Sequence, residues 1–209
     1  MPGIHVINPN ASDRVTDAIR AALGGADAVT CHTSHAGPPA IESHADFEAS
    51  IPPLIGMARG LDADVLVVAC FSDPGVDALR AALACPVIGI QEAAVEEAIA
   101  AKRRFGIVAI VAASVERQAR ALRARGQLAL WAGSRPLDLG VAALADRART
   151  EARMAEVARA LRDEDGAETL ILGCAGMPFY RDWLEEDVGL PVIEPCQAAL
   201  RRAQALIAA

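Results

Sequence analysis

The chain has 209 residues, 53% of them hydrophobic, with a formal net charge of −7. That is ample apolar material for one large core or two small ones, and an acidic balance without a basic stripe argues against nucleic acid or an anionic membrane as partner. No apolar run approaches the ~20 residues of a membrane-spanning helix and no signal-peptide layout is seen, so a cytoplasmic location is expected; the five cysteines lack the spacing of a zinc site or a disulfide scaffold and read as reduced thiols.

Short β-branched runs alternate with Ala-rich amphipathic stretches, the pattern of an α/β protein. Residues 4–7 read as a first strand, and Ser12 as the N-cap of a helix over 13–23. A second strand is expected over 27–31, followed by a loop, 32–40, in which Gly37, Pro38 and Pro39 block regular structure. A helical pattern opens at 41–43 and runs to about Gly60, with Pro52 and Pro53 expected to kink or split it. Residues 64–70 form a third strand, Ser72 or Asp73 caps a helix reaching Leu83, and 86–90 form a fourth strand.

The same order then begins again. Residues 105–111 resemble the first strand and Ser114 stands at the cap of the next helix; 128–131 make a weak second strand and 141–163 a long charged helix. Strands three and four fall at 169–174 and 191–194. Ile4 maps onto Ile107, Ser12 onto Ser114, Cys70 onto Cys174 and Pro86 onto Pro191, all at nearly one separation, which is the mark of a duplication. The expectation is two lobes, residues 1–93 and 94–195, each a four-stranded parallel sheet of order 2-1-3-4 flanked by helices, with 196–209 packing back on the first lobe.

The duplicated stretches VLVVACFSDP (65–74) and TLILGCAGMP (169–178) each read as a buried strand ending in cysteine, with a proline four positions on that suits a helix's first turn. Both thiols are therefore expected at strand-to-helix junctions, where open parallel sheets place binding crevices and a helix N-terminus favours thiolate. A pair of cysteines at matching positions has the layout of two opposed acid/base groups. Cys31, Cys85 and Cys196 read as packing residues. Cys31, His32 and His35 match no strong metal spacing, and Lys102, the only lysine, lies in a charged segment unsuited to a pyridoxal Schiff base, so no metal or cofactor is expected.

INPN (7–10), IES (41–43), ACFSDPG (69–75), PVIGIQEA (86–93) and LGCAGM (172–177) resemble the hydantoin racemase branch of the aspartate/glutamate racemase superfamily. The resemblance covers nearly the whole chain, and the two cysteine motifs are its most specific part. It implies two flavodoxin-like lobes about a pseudo-two-fold axis, an active site between them with one cysteine from each, cofactor-free inversion of an acidic carbon, and a homo-oligomer acting on a small molecule.

The implied reaction inverts C5 of 5-monosubstituted hydantoins, with Cys70 and Cys174 as the two bases. Backbone N–H groups of Phe71, Ser72, Ala175 and Gly176 are candidate oxyanion donors. Asn10, Ser12 and Ser114 are candidate side-chain contacts, all three also explicable as turn or cap residues. Where the family has two threonines this chain has Ala112 and Ala113, so a contact from Ala113 would be a backbone donor. Glu42 and Ser43 would line the substrate mouth or open a helix. Competing readings are an allantoin racemase, an amino-acid racemase or maleate isomerase of the same superfamily, and a two-lobed protein that only binds a small molecule.

Overall fold

The computed structural model describes residues 3–24 and 28–208. The first half runs β1 (Gly3–Asn8), α1 (Asp13–Ala22), β2 (Val29–Thr33), α2 (His44–Ala58), β3 (Ala63–Val68), α3 (Val76–Ala82), β4 (Val87–Gly89) and α4 (Ile90–Ala100). The second runs β5 (Phe105–Ala109), α5 (Ala112–Ala124), β6 (Trp131–Pro136), a 3-10 turn (Val141–Ala145), α6 (Arg147–Asp163), β7 (Thr169–Leu172), a 3-10 turn (Pro178–Tyr180), α7 (Arg181–Val188), β8 (Val192–Ile193) and α8 (Pro195–Ile207). Two parallel four-stranded sheets result, ordered β2-β1-β3-β4 and β6-β5-β7-β8, the expected 2-1-3-4 order twice over.

Strand β3 shows why its sequence is continuously apolar. Val65 and Val67 join a cluster that extends across both lobes to Ile107 and Leu172, while Leu66 and Val68 face a second cluster with Leu54 and Leu79 of α2 and α3. A strand covered by helices on both faces has no polar side. Helix α4 is buried along most of its length, from Ile90 through Val95 to Ala98. Helix α8 lies against α4, β3 and α1, with Arg201 paired to Glu97 and Gln197 donating to the Ala22 carbonyl.

Several expectations are corrected. The tandem prolines leave α2 in one piece: it is opened by a Ser43–Asp46 capping box, and the carbonyls deprived of partners belong to Glu48 and Ala49, both exposed and open to water. The second strand of the second half is Trp131–Pro136, not 128–131; it is a half-buried edge strand, paired only to β5, which needs no apolar run. The expected helix over 141–163 is broken at Asp146, whose carboxylate caps α6 through the Arg149 N–H. Strand β2 reaches Thr33, into the expected loop, and Asp27 lies outside the described residues.

The internal repeat is also re-registered. Ile4 N–H donates to Ala28 and Phe105 N–H to Leu130, while Ile4 pairs with Val65 and Phe105 with Thr169, so Ile4 matches Phe105 rather than Ile107. Ser12 is the N-cap of α1, but Ser114 is the third residue of α5, whose cap position is Val111 without a side-chain bond. The structural counterpart of Ser114 is therefore Val15. Cys70 and Cys174 keep their correspondence.

Candidate active site

In each sheet the chain leaves the central first strand to one side and returns on the other, so the C-terminal ends of β1 and β3, and of β5 and β7, flank a topological switch point. Ligand crevices of parallel sheets form there. The two crevices face each other. Asn10, Cys70, Phe71, Ser72, Ser114, Cys174 and Ala175 line a single cavity of about 40 Å³, completed by apolar side chains including Val15, Ile41, Ile110 and Val141.

Seven of the ten sequence-derived site residues thus meet. Gly176 lies just behind Cys174 and lines an adjoining cavity; Ser12 is occupied with capping α1, and Ala113 is exposed. Ser43 caps α2, while Glu42 reaches across to the other lobe: its Oε1 accepts the Val141 N–H at 2.7 Å, and Arg14 Nη2 donates to the Val141 carbonyl at 2.8 Å. One residue of the second lobe is held at both its peptide groups by charged side chains of the first. His32, set aside as a metal ligand, hydrogen-bonds His5 on the neighbouring strand at 2.9 Å.

The thiols do not sit at helix starts. Five residues separate Cys70 from α3, which begins after Gly75 in a left-handed conformation, and Pro178 opens only a 3-10 turn. Burial outweighs any helix field. It pushes Cys70 up to about 12, reinforced by Cys174 and Asp73 and opposed by Arg117 and the Ser72 amide. Burial likewise pushes Cys174 up to about 11, opposed by the Gly176 N–H, which meets its sulfur at 3.3 Å, and by Arg14; Glu42 and Glu194 add to the rise. The Gly176 amide is thus spent on its sulfur and the Ser72 amide on the Cys70 carbonyl at 2.8 Å, so neither is the free oxyanion donor expected from sequence, and both cysteines are thiols near neutral pH.

Asn10 is fixed by its oxygen, which accepts from Asn8 Nδ2 at 3.0 Å and Ser12 N–H at 2.9 Å, leaving its NH₂ as the end available to a ligand. Among the described residues the N–H groups of Phe71 and Ala175 have no protein acceptor. Sequence reasoning missed Arg117. From α5 it donates to Ser114 Oγ at 3.1 Å in its own lobe, and to Ser72 Oγ and the Glu42 carbonyl of the other at 3.5 Å. Its place one turn after Ser114 was the available signal. A larger recess of about 1090 Å³ shares Ser72 with the thiol cavity, but its buried carboxylates Asp73 and Glu92 are paired with Arg80, Arg125 and Arg202.

A family model described as Asp/Glu/Hydantoin racemase matches residues 4–203. A hydantoin racemase of Rhizobium meliloti is 39% identical over 99% of this chain and 89% of its own length, and one of Paenarthrobacter aurescens is 32% identical over 98% and 91%. Among solved structures, an allantoin racemase from Klebsiella pneumoniae superposes with a TM-score of 0.89 at 32% identity, covering 100% of this chain and 88% of that one. The chain belongs to the Asp/Glu/hydantoin racemase family and is an isomerase of the racemase kind.

Proposed function

We propose that the protein racemises 5-monosubstituted hydantoins without a cofactor, by proton transfer at C5 between Cys70 and Cys174. The observation that carries this reading is the pair of thiols at equivalent strand ends lining one cavity. One cysteine, as thiolate, removes the C5 proton, and the bonding electrons move onto the adjacent carbonyl as an enolate. The other, as thiol, returns a proton to the opposite face, so the substrate need not turn over. The roles exchange with direction, and general acid–base help of this kind is worth roughly 10²–10⁴ in rate.

The amides of Phe71 and Ala175, one from each lobe, supply donors for the enolate oxygen at roughly 3 kcal/mol each, with the Asn10 NH₂ as a third. Arg117 opposes the burial of charge beside Cys70. Forming a thiolate at pH 7 from a thiol at about 11 costs about 5 kcal/mol, so the reaction is favoured by alkaline conditions. The likeness to an allantoin racemase favours a second substrate, since allantoin is a hydantoin bearing a ureido group at C5.

The test uses separate enantiomers of 5-isobutylhydantoin, with no metal or cofactor added. Optical rotation from either enantiomer should fall to zero faster than in a protein-free control. Rotation that decays only at the control rate would refute the proposal.

A further inference from the structure

Arg117 differs from the other arginines that are partly withdrawn from water. Arg125, Arg135, Arg153, Arg162, Arg181 and Arg202 each lie within 3.5 Å of a carboxylate. Arg117, half-buried like them, has no carboxylate partner among the described residues. It is held by three uncharged oxygens, Ser114 Oγ at 3.1 Å and, at 3.5 Å, Ser72 Oγ and the Glu42 carbonyl. The acid that acts on it from a distance, Asp46, is committed to the cap of α2. A guanidinium drawn from water without a counter-ion carries a desolvation cost that such contacts offset only in part.

The fold does not ask for this residue. Ser114 corresponds to Val15 of the first half, so Arg117 corresponds to Ala18 of α1, where a buried alanine occupies the same place on the helix.

Donor chemistry gives the arginine its use. A guanidinium has N–H donors and no acceptor, so each serine oxygen it holds must accept, and the serine O–H is left to donate elsewhere. Both serines line the thiol cavity, one from each lobe, and neither hydroxyl has a second protein partner among the described residues. Two O–H donors are thereby reserved for the space in which an enolate oxygen forms. Ser72 enters the site through its hydroxyl, its amide being bonded to the Cys70 carbonyl. The charge of Arg117 also reaches Cys70, where it works against burial, Cys174 and Asp73.

We propose that Arg117 is a positioning residue for racemisation: it fixes the Ser72 and Ser114 hydroxyls as donors to the enolate, and the counter-ion it lacks is the negative charge that passes between Cys70 and the substrate. The proposal rests on the racemase reading above and adds a residue that acts through the two serines.

The test measures kcat and KM for both enantiomers of 5-isobutylhydantoin, and iodoacetamide alkylation of Cys70 and Cys174 at pH 9, in the unaltered protein, Arg117→Ala and Arg117→Lys. Arg117→Ala should lower kcat about 10- to 100-fold with KM little changed, somewhat less than deleting an oxyanion donor outright. Its Cys70 should be alkylated roughly two- to tenfold more slowly, with Cys174 unmoved. Guanidinium chloride at non-denaturing concentration should return part of the lost kcat, where sodium chloride of equal ionic strength does not. Lysine restores the charge but not the fork that spans two hydroxyls, so Arg117→Lys should recover the alkylation rate and leave kcat low. Full kcat in either variant, or a loss with Cys70 alkylation unmoved and no rescue by guanidinium, would overturn the positioning role while leaving the reaction intact. An unaltered protein that turns over neither enantiomer would overturn the reaction, and this role with it.

Discussion

The two halves put a carboxylate at the same point by different means. In the second, Glu194 is itself the N-cap of α8 and accepts the N–H groups of Cys196 and Gln197 at 3.2 and 2.7 Å. Strand pairing, Leu66 with Val87 and Leu170 with Val192, makes Gly89 its counterpart in the first half. Gly89 has no side chain. Asp73 comes instead from the turn after Cys70 and accepts from Gln91 and Glu92 at 2.9 Å each; its carboxyl carbon lies 2.2 Å from where a Gly89 Cβ would be.

The duplication has kept the position of a charge and changed the residue that supplies it. The reason is physical. A buried helix start presents unpaired N–H groups, and a carboxylate satisfies two of them while complementing the dipole. Each carboxylate also adds to the rise of the nearer thiol, Asp73 for Cys70 and Glu194 for Cys174. Asp73 is itself pushed up to about 6 by burial, against the pull of Arg125 and its two backbone donors.

If the halves are chemical equals, removing either thiol is equally damaging. Cys70→Ala and Cys174→Ala should each lower racemisation by at least about 10³-fold, measured by polarimetry on both enantiomers. A variant keeping a tenth of the activity would break the symmetry.

The pH profile comes next in size. Both thiols are protonated at pH 7, and the reactive form has lost one proton, so kcat/KM should climb about tenfold per unit from pH 6 to 10, towards a limb near 11. It should fall again as the second thiol ionises, near 12. A profile already flat at pH 7 would mean that a thiolate is stabilised by something other than the groups described.

Smaller, but specific to one half, are the carboxylates. Asp73→Asn should lower the pKa of Cys70 and leave Cys174 in place; Glu194→Gln should do the reverse. The pH dependence of iodoacetamide alkylation, followed at each cysteine by peptide mass spectrometry, reads the two separately. Alkylation of the affected thiol at pH 9 should rise roughly two- to tenfold, the size of a charge effect of about 1 kcal/mol. Smallest is the contrast between the serines. Ser12→Ala removes a true cap and should cost about 1 kcal/mol in urea unfolding, whereas Ser114→Ala removes none and should instead lower kcat/KM a few-fold by freeing Arg117.

The strand order and the strand-end placement of the two cysteines were legible because a strand buried on both faces writes itself as an unbroken apolar run, as at 65–68 and 170–172. Strand β6 was not, because an edge strand with Arg135 paired to Glu164 and Asp165 carries no such run. Asp73 was read as a local cap. Its role at α4 depends on a chain reversal bringing residues eighteen and nineteen positions away onto it, which no local pattern encodes. Arg117 and the clasp on Val141 belong to the meeting of the lobes, where sequence distances of 45 to 127 residues collapse to one hydrogen bond.

The central claim, two bases on opposite faces, is tested most directly by brief reaction of one enantiomer of an alkyl hydantoin in D₂O, with C5 followed by NMR in substrate and product after separation on a chiral column. Two bases predict product fully deuterated at C5 while the remaining substrate keeps its proton. Deuterium entering the remaining substrate as fast as the product forms would contradict them and leave a single base serving both faces.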